Sequence, residues 1–255
     1  MRKLILFAIC ACAPAFAADP PYAGKWKMNP AKSDFGSMTV TYEQLPGGEI
    51  KCTADGQSFT FKTDGKEVMT PWGMTQAWKT VDATTWEIVE KTIGKVSANS
   101  TVTLSGDGAS LIMKSKRVKS DGGTTDESVT FQRVSGGPGL AGKWKTKNLT
   151  SSSPETLTLT SKGSDGLAIV LGSEGSVCDA KFDGKEHPAT GPMWPGGWGC
   201  IVTKNGANSV NLTWRKDGKD MYKTSLTASA DGKTLNEIGS AAGVNEKFNV
   251  VYDKQ

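Results

Sequence analysis

Apolar and polar residues alternate with a period of two along most of this chain. Met38, Val40 and Tyr42 alternate with Thr39, Thr41 and Glu43, and Leu157 and Leu159 alternate with Thr156, Thr158 and Thr160. Val210, Leu212 and Trp214 alternate with Asn211 and Thr213, and Phe248, Val250 and Tyr252 repeat the pattern near the end. Such a period sends successive side chains to opposite faces, so each run predicts a strand with one buried and one wet face. The Thr and aromatic content favours the same conformation. Asp64-Gly65, Asp107-Gly108, Asp183-Gly184 and Asp217-Gly218 sit between the runs and supply the positive φ values of tight hairpins. No helical period stands out beyond the first residues. The pattern predicts an all-β protein of antiparallel hairpins.

The same pattern occurs twice. Ala23-Gly24-Lys25-Trp26-Lys27 returns as Ala141-Gly142-Lys143-Trp144-Lys145, and Asp64-Gly65-Lys66-Glu67 returns as Asp183-Gly184-Lys185-Glu186. Gly94-Lys95 returns as Gly218-Lys219, and Ser105-Gly106-Asp107-Gly108 is echoed by Ser229-Ala230-Asp231-Gly232. Four matches in one order mark an internal duplication. The predicted organisation is a signal peptide at 1–17, one repeat at 18–134, a Gly/Pro linker at 135–140 and a second repeat at 141–255. Many short strands joined by hairpins must hide their edges, and closing the sheet does so completely. Two tandem antiparallel up-and-down β-barrels are expected, each closed by its own copy, with β-sandwiches as the alternative.

Composition narrows the function classes. Arg2 and Lys3, the apolar stretch Leu4 to Ile9 and Ala15-Phe16-Ala17 follow the order of a cleavable secretory signal. Its apolar run falls short of the ~20 residues that span a bilayer. A lipoprotein anchored through Cys12 is the competing reading. Without Arg2 and Lys3 the chain is nearly neutral, and its charges are scattered. That supplies neither the phosphate-neutralising stripe of a nucleic-acid binder nor a polybasic patch for anionic lipid. Periplasmic or extracellular residence is expected, with no second membrane segment. Cys178 and Cys200 can then close a disulfide in the second repeat, leaving Cys52 as a buried free thiol.

Gly24-Lys25-Trp26 and Gly142-Lys143-Trp144 resemble the Gly-x-Trp opening of the lipocalin and fatty-acid-binding (calycin) barrels. The longer stretch from Gly24 to Phe35, with the Asp-Gly-Lys-Glu turn and the end Val251-Tyr252-Asp253-Lys254-Gln255, resembles small secreted bacterial β proteins that usually carry one such unit. The resemblance implies that Trp26 and Trp144 pack across a barrel floor. It also implies that an Arg of the last strand covers each Trp: Arg133 fits that place in the first copy, and Lys254 stands there in the second. The helical pair and the Arg-x-Tyr of fatty-acid-binding proteins are missing, so their ligand does not carry over.

Reactive chemistry is sparse. Gly137, Gly139 and Gly142 satisfy a dinucleotide-binding spacing, but such glycines need a helix after them and here a strand follows. His187 is the one histidine, stands beside a hairpin turn and has no nucleophile motif aimed at it. Glu67 and Glu186 are equivalent turn carboxylates in different copies. No metal-ligand spacing is present, and neither a catalytic set nor a cofactor is expected. The suggestive segments are aromatic: Trp72, Met74 and Trp78 after the first Asp-Gly-Lys-Glu turn, and Met193, Trp194 and Trp198 after the second. They either plug one barrel end or form the lip of a binding site. The expected function is a non-enzymatic exported binding protein for a small apolar or amphipathic ligand. The alternative is a structural or interaction module with filled barrels that meets a glycan or protein through its Trp-rich loops.

Overall fold

The computed structural model describes residues 19–34, 38–119, 122–153, 155–172, 175–192 and 194–255. The expected signal segment with Cys12, and Met193, lie outside the described residues. In chain order the strands are β1 (Gly24–Met28), β2 (Thr39–Gln44), β3 (Ile50–Ala54), β4 (Gln57–Phe61), β5 (Asp64–Met69), β6 (Thr75–Thr80), β7 (Thr85–Thr92), β8 (Lys95–Leu104), β9 (Ser110–Val118) and β10 (Thr124–Ser135). They continue as β11 (Gly142–Ser151), β12 (Thr156–Ser161), β13 (Gly166–Leu171), β14 (Ser176–Lys181), β15 (His187–Thr190), β16 (Trp198–Lys204), β17 (Ser209–Lys216), β18 (Lys219–Ala228), β19 (Thr234–Ala241) and β20 (Phe248–Lys254). A 3-10 turn at Pro46–Gly48 is the only helical element among the described residues. The chain is all-β and antiparallel, and it forms two ten-stranded barrel-like sheets rather than sandwiches.

The sheets do not divide at the repeat boundary. One sheet runs from β2 to β11, with β2 paired to β11, and is nearly closed, the gap lying between β4 and β5. The other is a closed barrel of β12 to β20, and β1 completes it by pairing with both β12 and β20. Each repeat thus lends its opening strand to the other barrel. The linker explains the exchange. It turns back so tightly that a Cβ on Gly136 would stand 2.3 Å from the Gly142 Cα, and both glycines have positive φ. That hairpin sets β11 against β10, in the slot β1 would otherwise fill, and leaves β1 for the equivalent slot in the second barrel.

The Asn29–Asp34 segment fastens β1 there. Asn29 Nδ2 donates to Asp253 at 2.6 Å, Lys32 Nζ reaches the same carboxylate at 2.7 Å, and the Val251 N–H donates to Ser33 Oγ at 2.9 Å. Asp34 and Asn249 add a two-way backbone bridge.

The tryptophans Trp26 and Trp144 are fully buried, and each donates its indole N–H to the carbonyl four residues earlier, Tyr22 at 2.9 Å and Leu140 at 3.0 Å. Because of the exchange their cationic covers are crossed as well. Arg133 lies over Trp144, not over the Trp26 of its own repeat, and Lys254 lies over Trp26. This end of each barrel is the floor. At the opposite ends, the mouths, the barrels touch each other. A Cβ on Gly56, in the β3–β4 turn, would meet the Ala242 carbonyl oxygen at 2.3 Å, and one on Gly73 would meet Pro195 at 3.2 Å.

Candidate functional site

The interiors of the two barrels differ. In the β2–β11 barrel the inward positions carry rings that pack on one another. Phe61 stacks on Trp78 with centroids 4.6 Å apart, and Tyr42 meets Trp78 edge-on at 5.8 Å. Toward the mouth the same barrel becomes polar but internally paired. Arg117 donates to Glu127 at 2.7 Å and lies 3.5 Å from Glu90, while Gln76 and Ser97 donate to Glu90 at 3.2 and 3.3 Å.

The closed barrel keeps a cavity of about 190 Å³ in its mouth half. Inward residues of β12, β13 and β17 to β20 build it, because period-two alternation sends Leu157, Ile169, Leu212, Leu226 and Tyr252 to the same interior. Among them is one carboxyl on a strand interior, Glu237 of β19. Leu235 and Glu237 share a face, whereas Ile238 between barrel and solvent points outward and is exposed. The Tyr252 hydroxyl donates to Glu237 Oε2 at 2.9 Å. Burial pushes the Glu237 carboxyl above the ordinary range, and its contacts with Tyr252 and Thr224 only partly oppose that. Burial and the neighbouring Glu237 also hold the Tyr252 phenol well above its usual range. Glu155 stands at the rim and acts electrostatically on Arg117 of the other barrel.

The Trp-rich loop forms the lid. Trp194 stacks on Trp214 at 4.3 Å and tilts against Trp198 at 4.9 Å. Trp194 lines the cavity, and its buried indole N–H has no hydrogen-bond partner. Trp198 is buried and donates to the Trp72 carbonyl at 3.2 Å. The Cys178–Cys200 disulfide ties β14 to β16 across β15, with Cα atoms 6.5 Å apart, and so anchors the strand that follows the loop. On the other side of the loop, Gly191 sits where a Cβ would come within 2.6 Å of the Ser176 Cα.

The first repeat's aromatic segment is split among three places. Trp72 reaches across the junction and donates to the Tyr222 hydroxyl at 3.2 Å, while Phe59 meets its ring edge-on. Tyr222 in turn donates to Asp55 at 2.9 Å, so a wall residue of the cavity is fixed from the other barrel. Burial raises the Asp55 carboxyl and the Tyr222 phenol above their ordinary values. Met74 is half-buried at the base of its loop, and its carbonyl accepts from Thr70. Trp78 belongs to the core of the β2–β11 barrel.

Of the expected ligand-contacting residues that are described, only Trp194 therefore lines the cavity. Trp72 and Trp198 brace its lid and wall, and Trp78 lies elsewhere. Glu237 and Tyr222 stand in no motif, and Tyr252 stands in the alternating run that carries the fold. Strand parity could have found Glu237, since it alternates with Leu235 on an inward face.

The remaining candidates take structural places. His187 Nε2 lies 3.0 Å from Asp183 Oδ1 and 3.3 Å from the Lys181 N–H, closing a hairpin. Glu67 pairs with Lys91, and Glu186 with Arg215 at 2.5 Å. Gly137 and Gly139 offer their carbonyls to Arg133 in a turn that precedes a strand. Cys52 is buried and free, and burial, reinforced by Asp55, pushes its thiol up to about 12, which keeps it protonated and unreactive. Among the described residues no group of three or more His, Cys, Asp or Glu could hold a metal ion, and no helix is long and apolar enough to cross a membrane. No protein-family model matches the chain, and neither does a curated protein or a solved structure.

Proposed function

We propose that the chain is a non-enzymatic, exported, lipocalin-like binding protein that carries a small amphipathic molecule inside its closed barrel. The observation that carries this reading is the cavity of about 190 Å³ behind the Trp194 lid. Barrels of this order of strand number are either filled by side chains or just wide enough for one small ligand. In the β2–β11 barrel rings pack around Trp78, whereas the closed barrel leaves this space. An apolar protein cavity of about 150 Å³ holds benzene, so this space takes a ring with a short side arm. The walls are largely apolar with a few convergent polar groups, which is the usual make-up of a small-molecule site. The disulfide supports residence in an oxidising compartment.

The Trp-loop reading, in which indoles are presented to a glycan or a protein, has less support. Trp198 is buried and Trp194 is stacked inward, so neither ring offers a free face of the kind that reading needs. Trp194 and Trp214 make the carrier reading directly testable by intrinsic fluorescence. A saturable change on titration with small amphipathic compounds, or a co-purifying small molecule in native mass spectrometry, is the expected result. Neither signal across a broad compound set removes the reading.

A further inference from the structure

We infer that the molecule held in the closed barrel is a small organic cation, an amine or quaternary ammonium group carried on an apolar or aromatic body. This rests on the carrier reading and gives it a chemical class.

Three observations lead there. First, aromatic rings form a large part of the cavity wall. Trp194, Trp214, Tyr222, Phe248 and Tyr252 all line it, and ring faces attract a desolvated cation through their quadrupoles. Second, the buried Glu237 carboxyl stands among them, and among the described residues no Lys, Arg or His lines the cavity. A carboxylate ligand would join the Glu237 carboxyl and the rim Glu155 with no cationic side chain on the described lining to balance it, which is unfavourable in a low dielectric. A neutral ligand gains little from the carboxyl and leaves its burial uncompensated.

The third observation is internal to the protein. In the β2–β11 barrel the inward carboxylates Glu90 and Glu127 face a cation that the chain itself supplies, Arg117, at 3.5 and 2.7 Å. The closed barrel has an inward carboxyl but its hydrogen-bond partner is the neutral Tyr252 hydroxyl. The countercharge built into one barrel is left out of the other, and a bound cation would take its place. Glu155 at the rim acts on Arg117 and also on Tyr252, so it adds to the negative field at the mouth of the cavity.

Matched probes separate the possibilities on the native full-length mature chain. Phenethylamine, phenethyl alcohol and phenylacetate share one ring and one short arm and differ in charge. Isothermal titration is expected to rank phenethylamine at least tenfold tighter than the alcohol, with no measurable binding of phenylacetate. Glu237→Gln keeps the shape and is expected to weaken the amine at least tenfold while leaving the alcohol within about twofold, with an unchanged circular dichroism spectrum as the control. Equal or tighter binding of phenethyl alcohol or phenylacetate to the native chain overturns the cation assignment and leaves the carrier reading in place. Failure of all three probes, together with no change in Trp fluorescence across a wider set of amines, acids and neutral compounds, overturns the carrier reading itself. The comparison on the native chain stands without the variant, so a poorly folding Glu237→Gln does not remove the test.

Discussion

The guanidinium of Arg133 lies 4.0 Å from the centre of the Trp144 ring, although the two residues belong to different sequence repeats. Lys254 repeats the arrangement over Trp26 at 5.0 Å, again across the repeats. Arg133 also donates to the carbonyls of Gly108, Gly137, Gly139 and Ala141 at 2.6–2.8 Å, which binds the linker turn to the barrel floor. Arg133→Ala is expected to cost about 2–3 kcal/mol, since charge-assisted bonds to carbonyls are lost and their acceptors are left behind. Arg133→Lys should restore only part of this, because an ammonium cannot reproduce the planar fork. Urea unfolding followed by Trp fluorescence measures both, and equal stability of all three proteins would contradict the assigned role.

The strand exchange makes the two barrels unequal as fragments. Strands β2 to β11 are contiguous in residues 38–151, whereas the closed barrel takes β1 from outside residues 152–255. The 38–151 fragment should fold alone with a cooperative unfolding transition. The 152–255 fragment should remain open and gain structure only when a peptide of residues 19–34 is added. Circular dichroism with a peptide titration checks this. Cooperative folding of 152–255 without the peptide would show that β1 is dispensable.

The Cys178–Cys200 disulfide closes a loop of 22 residues, for which the chain-entropy account gives about 3 kcal/mol of stabilisation. The double replacement Cys178→Ala/Cys200→Ala should lose stability on that order. It should also shift the emission of the Trp194–Trp198–Trp214 cluster, because the bond anchors the strand behind the lid. Non-reducing peptide mapping should link these two cysteines and leave Cys52 free.

Stability should depend on pH through two opposed sets of carboxyls. Glu237 and Asp55 have raised values in the folded protein, so the fold holds protons that the unfolded chain releases. Their contribution is fully present below the ordinary carboxylate range near ~4 and is lost as pH rises through the raised folded values. Asp253 is the reverse case. Lys32, Asn29 and the field of the Lys32 ammonium lower its value, so its contribution is present at neutral pH and lost as pH falls. The groups facing Glu237 are Tyr252 and Thr224 directly, with Glu155 at the rim and Tyr222, backed by Asp55, on the same wall. Glu237→Gln should therefore be more stable than the parent above the ordinary carboxylate range and no more stable below it. Denaturation at a series of pH values tests the sign, and a stability gain confined to acid pH would contradict it.

Much of the fold could be read from the sequence because its cause is local. The alternation that places Val210, Leu212 and Trp214 inward is visible in five residues, and so are the Asp-Gly turns. The exchange of β1 and β11 is not local. Gly24-Lys25-Trp26-Lys27 and Gly142-Lys143-Trp144-Lys145 are the same strand in composition, so either fits either slot. What decides between them is the close approach of Gly136 to Gly142, a property of backbone geometry. The tryptophans show a similar limit. Their composition marks Trp72, Trp78, Trp194 and Trp198 as a plug or a binding lip, but not whether they fill their own core, line a cavity or cross to the other barrel. Glu237 is legible by parity, since it shares the face of the buried Leu235, but no neighbouring residue in sequence marks it as polar chemistry.

The place of β1 between β12 and β20 has a consequence for how the chain is made. The chain delivers Gly24–Met28 well before Phe248–Lys254, so β1 finds its second neighbour only after β20 exists. The β2–β11 barrel can mature as soon as its own strands are delivered, since domains generally fold as units. The other barrel stays unsealed through that interval and exposes strand edges that invite mispairing. A product truncated before β20 would hold a finished barrel beside a permanently open one, and that open edge would mark it for proteolytic removal.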